Sequence, residues 1–138
     1  MSRVLAIDFG QKKSGIAVTD ELRMIASPLT TVPSSQLIDF LKNYFNEESV
    51  EVVVIGEPKT MDNKASDSTK YIQPFIGRLK KAFPALIVDR MDERFTSRMA
   101  FQTMIDGGLG KKARQNKDLV DSISAALILQ TYLEFKKT

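Results

Sequence analysis

Four aliphatic residues in a row, Val52-Val53-Val54-Ile55, constrain what this chain can fold into more tightly than anything else in it. All four are β-branched, which favours a strand. The run has no polar alternate positions, so a strand built from it is buried on both faces, as in a sheet packed between helices. Three strand-like runs come before it. Residues 4–9 form a short apolar run that reaches an acid at Asp8. Residues 15–19 (GIAVT) form a second, with a polar hairpin loop over 9–14 between them. Residues 24–32 form a third, and Pro28 within it favours an edge position. Strands in direct succession suggest an antiparallel meander.

Strands and helices then alternate. Ser34 or Ser35 is placed to cap a helix running to about residue 46, with Leu37, Ile38, Leu41, Tyr44 and Phe45 on one face. After the Val-Val-Val-Ile strand and a loop over 56–66, a helix over 68–82 turns Ile72, Phe75, Ile76 and Leu79 inward. Pro74 sits uneasily inside it, and the expectation is a first turn that begins later. Residues 85–88 read as a fifth strand. Thr96 or Ser97 starts a helix that stops at Gly107-Gly108, and a basic loop leads to a last helix over 116–136. The order β-β-β-α-β-α-β-α-α predicts an α/β fold: a five-stranded mixed sheet, three antiparallel strands first, flanked by helices.

A chain of 138 residues fits one domain, residues 1–138. With 43% hydrophobic and 27% charged residues it reads as globular rather than disordered. The start, MSRVLAIDFG, does not read as a signal peptide, and no stretch approaches the roughly 18 apolar residues of a membrane span. The expectation is a soluble cytoplasmic protein that makes no membrane contact. The chain has no cysteine and no histidine. That excludes disulfides, thiolate or imidazole zinc sites, cysteine nucleophiles and histidine-dependent triads. Acid–base or metal chemistry must come from Asp, Glu, Lys or Tyr, and carboxylates without imidazole suit hard ions such as magnesium or manganese. Twenty Lys and Arg against 17 Asp and Glu give +3, which permits nucleic-acid binding without arguing for it.

The acids are unevenly placed. Asp8 ends a strand expected to be central and shares a face with Val4 and Ala6. Asp92 and Glu93 follow the fifth strand. Asp118 and Asp121 lie three apart at the start of the last helix, so they project from one side. The helix macrodipole alone would favour an acid at Asp118, and fits Asp121 less well, because an almost wholly apolar stretch follows it. Glu57 stands in a Gly56-Glu57-Pro58 turn after the fourth strand. Together these strand ends and the helix start can converge. A carboxylate cluster of that kind suits two-metal phosphoryl chemistry, in which bound ions activate a water and steady the leaving oxygen. The loop over 107–117, with three glycines and Lys111, Lys112, Arg114 and Lys117, feeds into the acidic helix start as a cationic arm suited to phosphate contacts. Lys12, Lys13 and Arg98 extend the basic rim, although Lys12 and Lys13 serve equally as hairpin solubility charges.

The blocks Val4-Leu5-Ala6-Ile7-Asp8-Phe9-Gly10, Gly15-Ile16-Ala17-Val18, Gly56-x-Pro58 with Met61, Asp92-Glu93-Arg94-Phe95-Thr96-Ser97 and Val120-Asp121-x-x-Ser124-Ala125-Ala126-x-Ile128-Leu129 together resemble the signature blocks of the YqgF/RuvX family. They stand in family order over nearly the whole chain, and the Asp-Glu-Arg-Phe-Thr-Ser block is the most specific. The resemblance implies an RNase H-like fold and a nuclease that matures the 5′ end of pre-16S ribosomal RNA. It also implies an older reading as a Holliday junction resolvase. By residue it implies Asp8, Glu93 and Asp121 as catalytic, metal-binding acids, with magnesium or manganese, as two ions. Two positions depart from the family. Glu57 stands where an aliphatic residue is usual, and Asp118 where no acid is usual. Related junction resolvases carry a metal-binding Glu near the end of the fourth strand and two acids three apart on the final helix. Glu57 and Asp118 therefore read either as extra ligands or, as we favour, as surface variation at tolerant positions.

Two other functions compete. Asp8-Phe9-Gly10 through Gly15 resembles the phosphate loop of actin-like kinases, but those need two such domains and a second phosphate motif. A non-catalytic RNA-binding module would keep the fold and the basic arm, yet the acids at all three family positions argue against it. The helices leave no spare apolar stripe, which predicts a monomer or weak dimer acting on nucleic acid, RNA favoured.

Overall fold

The computed structural model describes residues 2–10, 12–57, 69–92 and 117–136; for 57, 69–71, 92, 117–121 and 135–136 it describes the main chain alone. Strands β1 (Arg3–Asp8), β2 (Lys13–Thr19), β3 (Ala26–Pro33), β4 (Val50–Glu57) and β5 (Ile87–Asp92) form one sheet in the order β3-β2-β1-β4-β5. The pairs β1–β2 and β2–β3 are antiparallel, and β1–β4 and β4–β5 are parallel. This is the expected meander followed by crossovers, with β1 at the centre. The edge position expected for Pro28 is found: it lies on β3, where the register with β2 shifts between Ile16 and Ala17.

Helices cover both faces. The alternation of side chains along β1 and β4 separates two cores. Leu5, Ile7, Val53 and Ile55 pack with Leu37 and Leu41 of α1 (Leu37–Glu47) and with Ile72, Phe75, Ile76 and Leu79 of α2 (Thr69–Ala82). Val4, Ala6, Val52 and Val54 pack on the other face against Ala125, Ala126, Ile128, Leu129 and Leu133 of α3 (Lys117–Lys136). The buried Ala125 and Ala126 let α3 lie close to the sheet.

The differences from expectation have local causes. Pro74 lies inside α2, whose first turn begins at Thr69 rather than later. An interior proline costs a helix about 3 kcal/mol. Burial of Ile72, Phe75, Ile76 and Leu79 contributes roughly 1.5–3 kcal/mol each, so packing prevails. Strand β5 runs over Ile87–Asp92 rather than 85–88, because Phe83–Leu86 closes a turn and the polar Asp89 and Arg90 continue the ladder on β4. Strand β2 begins at Lys13, two residues early. Neither Ser34 nor Ser35 caps a helix: Ser34–Gln36 is a 3-10 turn, α1 follows with Gln36 as its N-cap residue, and no side chain caps either start. The helix expected from Thr96 or Ser97 lies outside the described residues.

Candidate active site at the carboxyl ends of the parallel strands

Strands β1, β4 and β5 run parallel and finish together. Asp8 is in register with Gly56, Gly56 with Met91, and Glu57 with Asp92. On its other side Asp8 is in register with Gly15 of β2. The carboxylate that ends the central strand therefore has a glycine as neighbour on each flanking strand, and both glycines are buried. Strand alternation puts Asp8 on the face of Val4 and Ala6, beneath α3. Half-buried Asp8 therefore has no side chain level with it on either flanking strand. Sequence reasoning used Gly15 and Gly56 only as family motif and turn residues; that they flank one acid needs the register.

Helix α3 runs back across this face. Its later half lies over the start of the sheet: Tyr132 and Leu133 line a cavity with Val4 and Val52, and the Gln130 side chain accepts the Ala26 N–H at 3.3 Å. From Leu133 back to Asp121 is about 18 Å of helix, and from Val4 to Asp8 about 13 Å of strand. The main chain at Asp121 thus comes level with the Asp8 end of the sheet, and Asp118 lies one turn beyond it. Glu93 follows the last residue of β5 and lies outside the described residues, as do Arg98, Lys111, Lys112 and Arg114. Lys117 opens α3. Lys12 and Lys13 are exposed, Lys12 in the loop after Asp8 and Lys13 at the start of β2. Among the residues whose side chains are described, no three acids come together as a metal site. The proposed donors are all oxygen atoms, as the absence of His and Cys requires. That chemistry fits magnesium or manganese.

The loop after Asp8 is tied down by residues that sequence reasoning read otherwise. Ser14 is fully buried, and its hydroxyl accepts the Gly10 N–H at 3.4 Å. The hydroxyls of Ser14 and Ser34 lie 2.7 Å apart, and Ser34 donates to the Gly10 carbonyl at 2.6 Å. The Ser34 N–H donates to the Lys12 carbonyl at 2.8 Å. A polar residue next to a buried strand run was the available signal.

The opposite end of the sheet carries acids as well, and four of them are matched to donors. Arg23 donates to Glu51 at 2.6 Å and holds its carboxyl below the usual range, with help from Ser2. Arg3 pairs with Glu48 at 3.1 Å. Tyr132 donates to Asp89 at 2.9 Å; burial first, then that hydrogen bond and the charge on Asp89, push its phenol up to about 12. Asp20 accepts the Ile25 and Met24 amides, which lower its pKa. The cavity of about 440 Å³ at this end is lined by the Arg23–Glu51 and Tyr132–Asp89 pairs and by Val4, Val52, Ile87 and Leu133.

The structure of T. thermophilus RuvC in complex with Holliday junction substrate superposes with a TM-score of 0.61 at 16% identity, covering 99% of this chain and 96% of that one. The fold is RNase H-like. Residues 2–135 match the family described as RuvX: Holliday junction resolvase. Over 137 residues the chain is 58% identical to a Flavobacterium johnsoniae protein named "Putative pre-16S rRNA nuclease", covering 99% of each. It is 55% identical over 137 residues to a Bacteroides fragilis protein of the same name, again covering 99% of each. Fold and family define a nuclease, a hydrolase of phosphodiester bonds. The chain belongs to the RuvX family.

Proposed function

We propose that this chain, as a single domain over residues 1–138, is a divalent-metal nuclease that matures the 5′ end of precursor 16S ribosomal RNA in the cytoplasm. The observation that carries this reading is the setting of Asp8: a carboxylate at the end of the central strand, glycine on both sides, beneath the helix that bears Asp121. In this reading Asp8, Glu93 and Asp121 hold two magnesium or manganese ions. Bound there, the ions supply an activated water and stabilise the leaving oxygen. The three carboxylates set the ligand charge and the orientation of the site. Lys111, Lys112, Arg114 and Lys117, with Lys12, Lys13 and Arg98, hold the phosphate backbone against the acidic end. Glu57 and Asp118 are surface variation. No helix among the described residues is long and apolar enough to cross a membrane.

RNA is favoured over a four-way junction. Paired cuts in a two-fold junction require a C2 dimer whose two sites face it. Leu22, Met24 and Ile25 are large apolar residues, each more than 60% exposed, and they cluster in the turn between β2 and β3. That turn follows Thr19, whose hydroxyl accepts the Val4 N–H, so it lies at the sheet end opposite Asp8. A dimer built there would point its active sites apart. Even with Ile87, half exposed at the same end, these side chains fall short of the roughly 1,000 Å² that a stable interface buries. The working form is a monomer or weak dimer that nicks one strand at a time.

The test is incubation of the protein with labelled precursor 16S RNA and with four-way DNA junctions, each with magnesium, manganese or chelator. Metal-dependent cleavage of the RNA, with slow or absent junction resolution, is expected. Cleavage in excess chelator by a contaminant-free preparation would refute the metal mechanism. Symmetric paired junction cuts, faster than RNA trimming and made by a stable dimer in sedimentation, would overturn substrate and assembly together. Glu93→Gln should be as damaging as Asp8→Asn, with Glu57→Gln nearly silent; the reverse would move the third ligand to β4.

A further inference from the structure

The hydrogen bonds around Gly10 form a closed ring with a direction. A hydroxyl has one proton to donate and two lone pairs to accept with. The Gly10 carbonyl has no proton, so Ser34 donates its own there. Ser34 then has none left for Ser14, so Ser14 must be the donor across the 2.7 Å hydroxyl pair. Ser14 in turn accepts the Gly10 N–H. The circuit runs from Gly10 N–H to Ser14, to Ser34, and back to the Gly10 carbonyl. Both polar main-chain groups of a residue two positions after Asp8 are thereby fixed by side chains 4 and 24 residues further along the chain.

The loop is held at its other points too. The Ser34 N–H binds the Lys12 carbonyl, and Phe9 is stacked on Phe75 of α2 with ring centroids 4.9 Å apart. A Cβ on Gly10 would run into the carbonyl oxygen of Lys13. No other residue fits this path without backbone movement. A hairpin loop needs none of this to reverse direction. One that must hold a half-buried carboxylate at fixed orientation does, because ligand groups lose affinity when their supports are loose.

We propose that the Ser14–Ser34 hydroxyl pair positions Asp8 for metal binding, with Ser34 as the positioning residue that joins the β3 end to the loop carrying Asp8 and Lys12. The inference rests on Asp8 being a metal ligand. Ser14 and Ser34 do not touch metal or RNA in this account; they act through the main chain of Gly10.

The experiment measures Mn²⁺ binding by calorimetry on the RNA-free full chain, with amide exchange at Gly10 in parallel. Ser34→Ala should weaken Mn²⁺ binding by about 10–100-fold, the usual effect of removing a support behind a ligand. It should speed Gly10 exchange and lower the metal-free melting temperature by less than about 5 °C. Ser34→Thr, which keeps the hydroxyl, should restore Mn²⁺ binding. Should Ser34→Ala fold poorly, Ser34→Cys keeps the bulk with a weaker donor and should still cost metal affinity. Parent-like Mn²⁺ binding in Ser34→Ala or Ser34→Cys overturns the proposal. Asp8→Asn separates the two claims. If it abolishes Mn²⁺ binding while Ser34→Ala does not, only the positioning role fails. If Asp8→Asn binds Mn²⁺ like the parent, the metal reading of Asp8 fails first.

Discussion

The two ends of the sheet are built from similar residues and treat acids in opposite ways. At the start of β1 and β4 four acids come with donors: Glu48 with Arg3, Glu51 with Arg23, Asp89 with the Tyr132 hydroxyl, Asp20 with two main-chain amides. Where the same strands finish, an acid stands at each strand end. Asp8 ends β1 in register with Gly56 and Met91, and Glu57 and Asp92, one position further along, end β4 and β5 as directly registered neighbours. Like charges at adjacent sheet positions are destabilising, whereas matched pairs are neutral to mildly stabilising. One end is arranged for the folded state. The other sets acids at three adjacent strand ends, and in the proposed site a cation would bind beside Asp8.

That contrast can be broken by substitution. The largest effect is expected at Asp8. Asp8→Asn should lower the cleavage rate by about a thousandfold or more, since metal-held charge stabilisation is worth several kcal/mol. The metal-free variant should melt at or above the parent temperature, because repulsion is relieved. Steady-state cleavage and a melting curve read both, and a substantial residual rate would remove Asp8 from the site. Next is Gly10→Ala. Overpacking costs about 1–3 kcal/mol, here against the Lys13 carbonyl, and denaturant unfolding should show it together with weakened Mn²⁺ binding. Neutralising Lys111, Lys112 and Arg114 together should flatten the log–log salt dependence of RNA binding by about 2, with less effect on cleavage of bound RNA. An unchanged slope means the arm does not touch phosphate.

The smallest effect belongs to the opposite end. Tyr132→Phe removes one hydrogen bond to Asp89 and should cost about 1 kcal/mol at neutral pH, with cleavage unchanged. The folded phenol titrates at about 12 against an ordinary 10.0. A raised pKa stabilises the fold fully below pH 10, and that contribution is lost as pH climbs from 10 to about 12. Unfolding measured across that range should steepen for the parent and flatten for Tyr132→Phe. Loss of cleavage in Tyr132→Phe would mean that the two ends are coupled.

How much of this was legible beforehand depended on whether the signal was local. The meander, the buried fourth strand and the long last helix follow from apolar periodicity, and the sheet has the strand composition they implied. The place of Asp8 at the end of the central strand was legible because an acid ending a buried strand is conspicuous. The glycine flanks of Asp8 were not, since they depend on register between strands distant in sequence. Ser34 read as a helix cap because Ser before an apolar periodic run normally is one. Its hydroxyl instead serves a loop 24 residues earlier, which no local rule anticipates. Asp89 and Arg90 disguised β5 because an edge strand tolerates polar residues that a central one would not. The family assignment came from the spacing of whole blocks, which holds even where single strand boundaries shift.

Helix α3 is the final described element, yet it packs on the first three strands and carries Asp121 back to the residue that ends β1. The proposed centre thus joins positions 113 residues apart in the chain. During synthesis the sheet can begin to form, and Asp8 can take its place, long before its partner acid exists. If Asp8 and Asp121 form the proposed centre, the nascent nuclease is inactive. Ribosomes make it beside the very class of RNA it is proposed to cut, and cleavage competence arrives with the docking of one late helix.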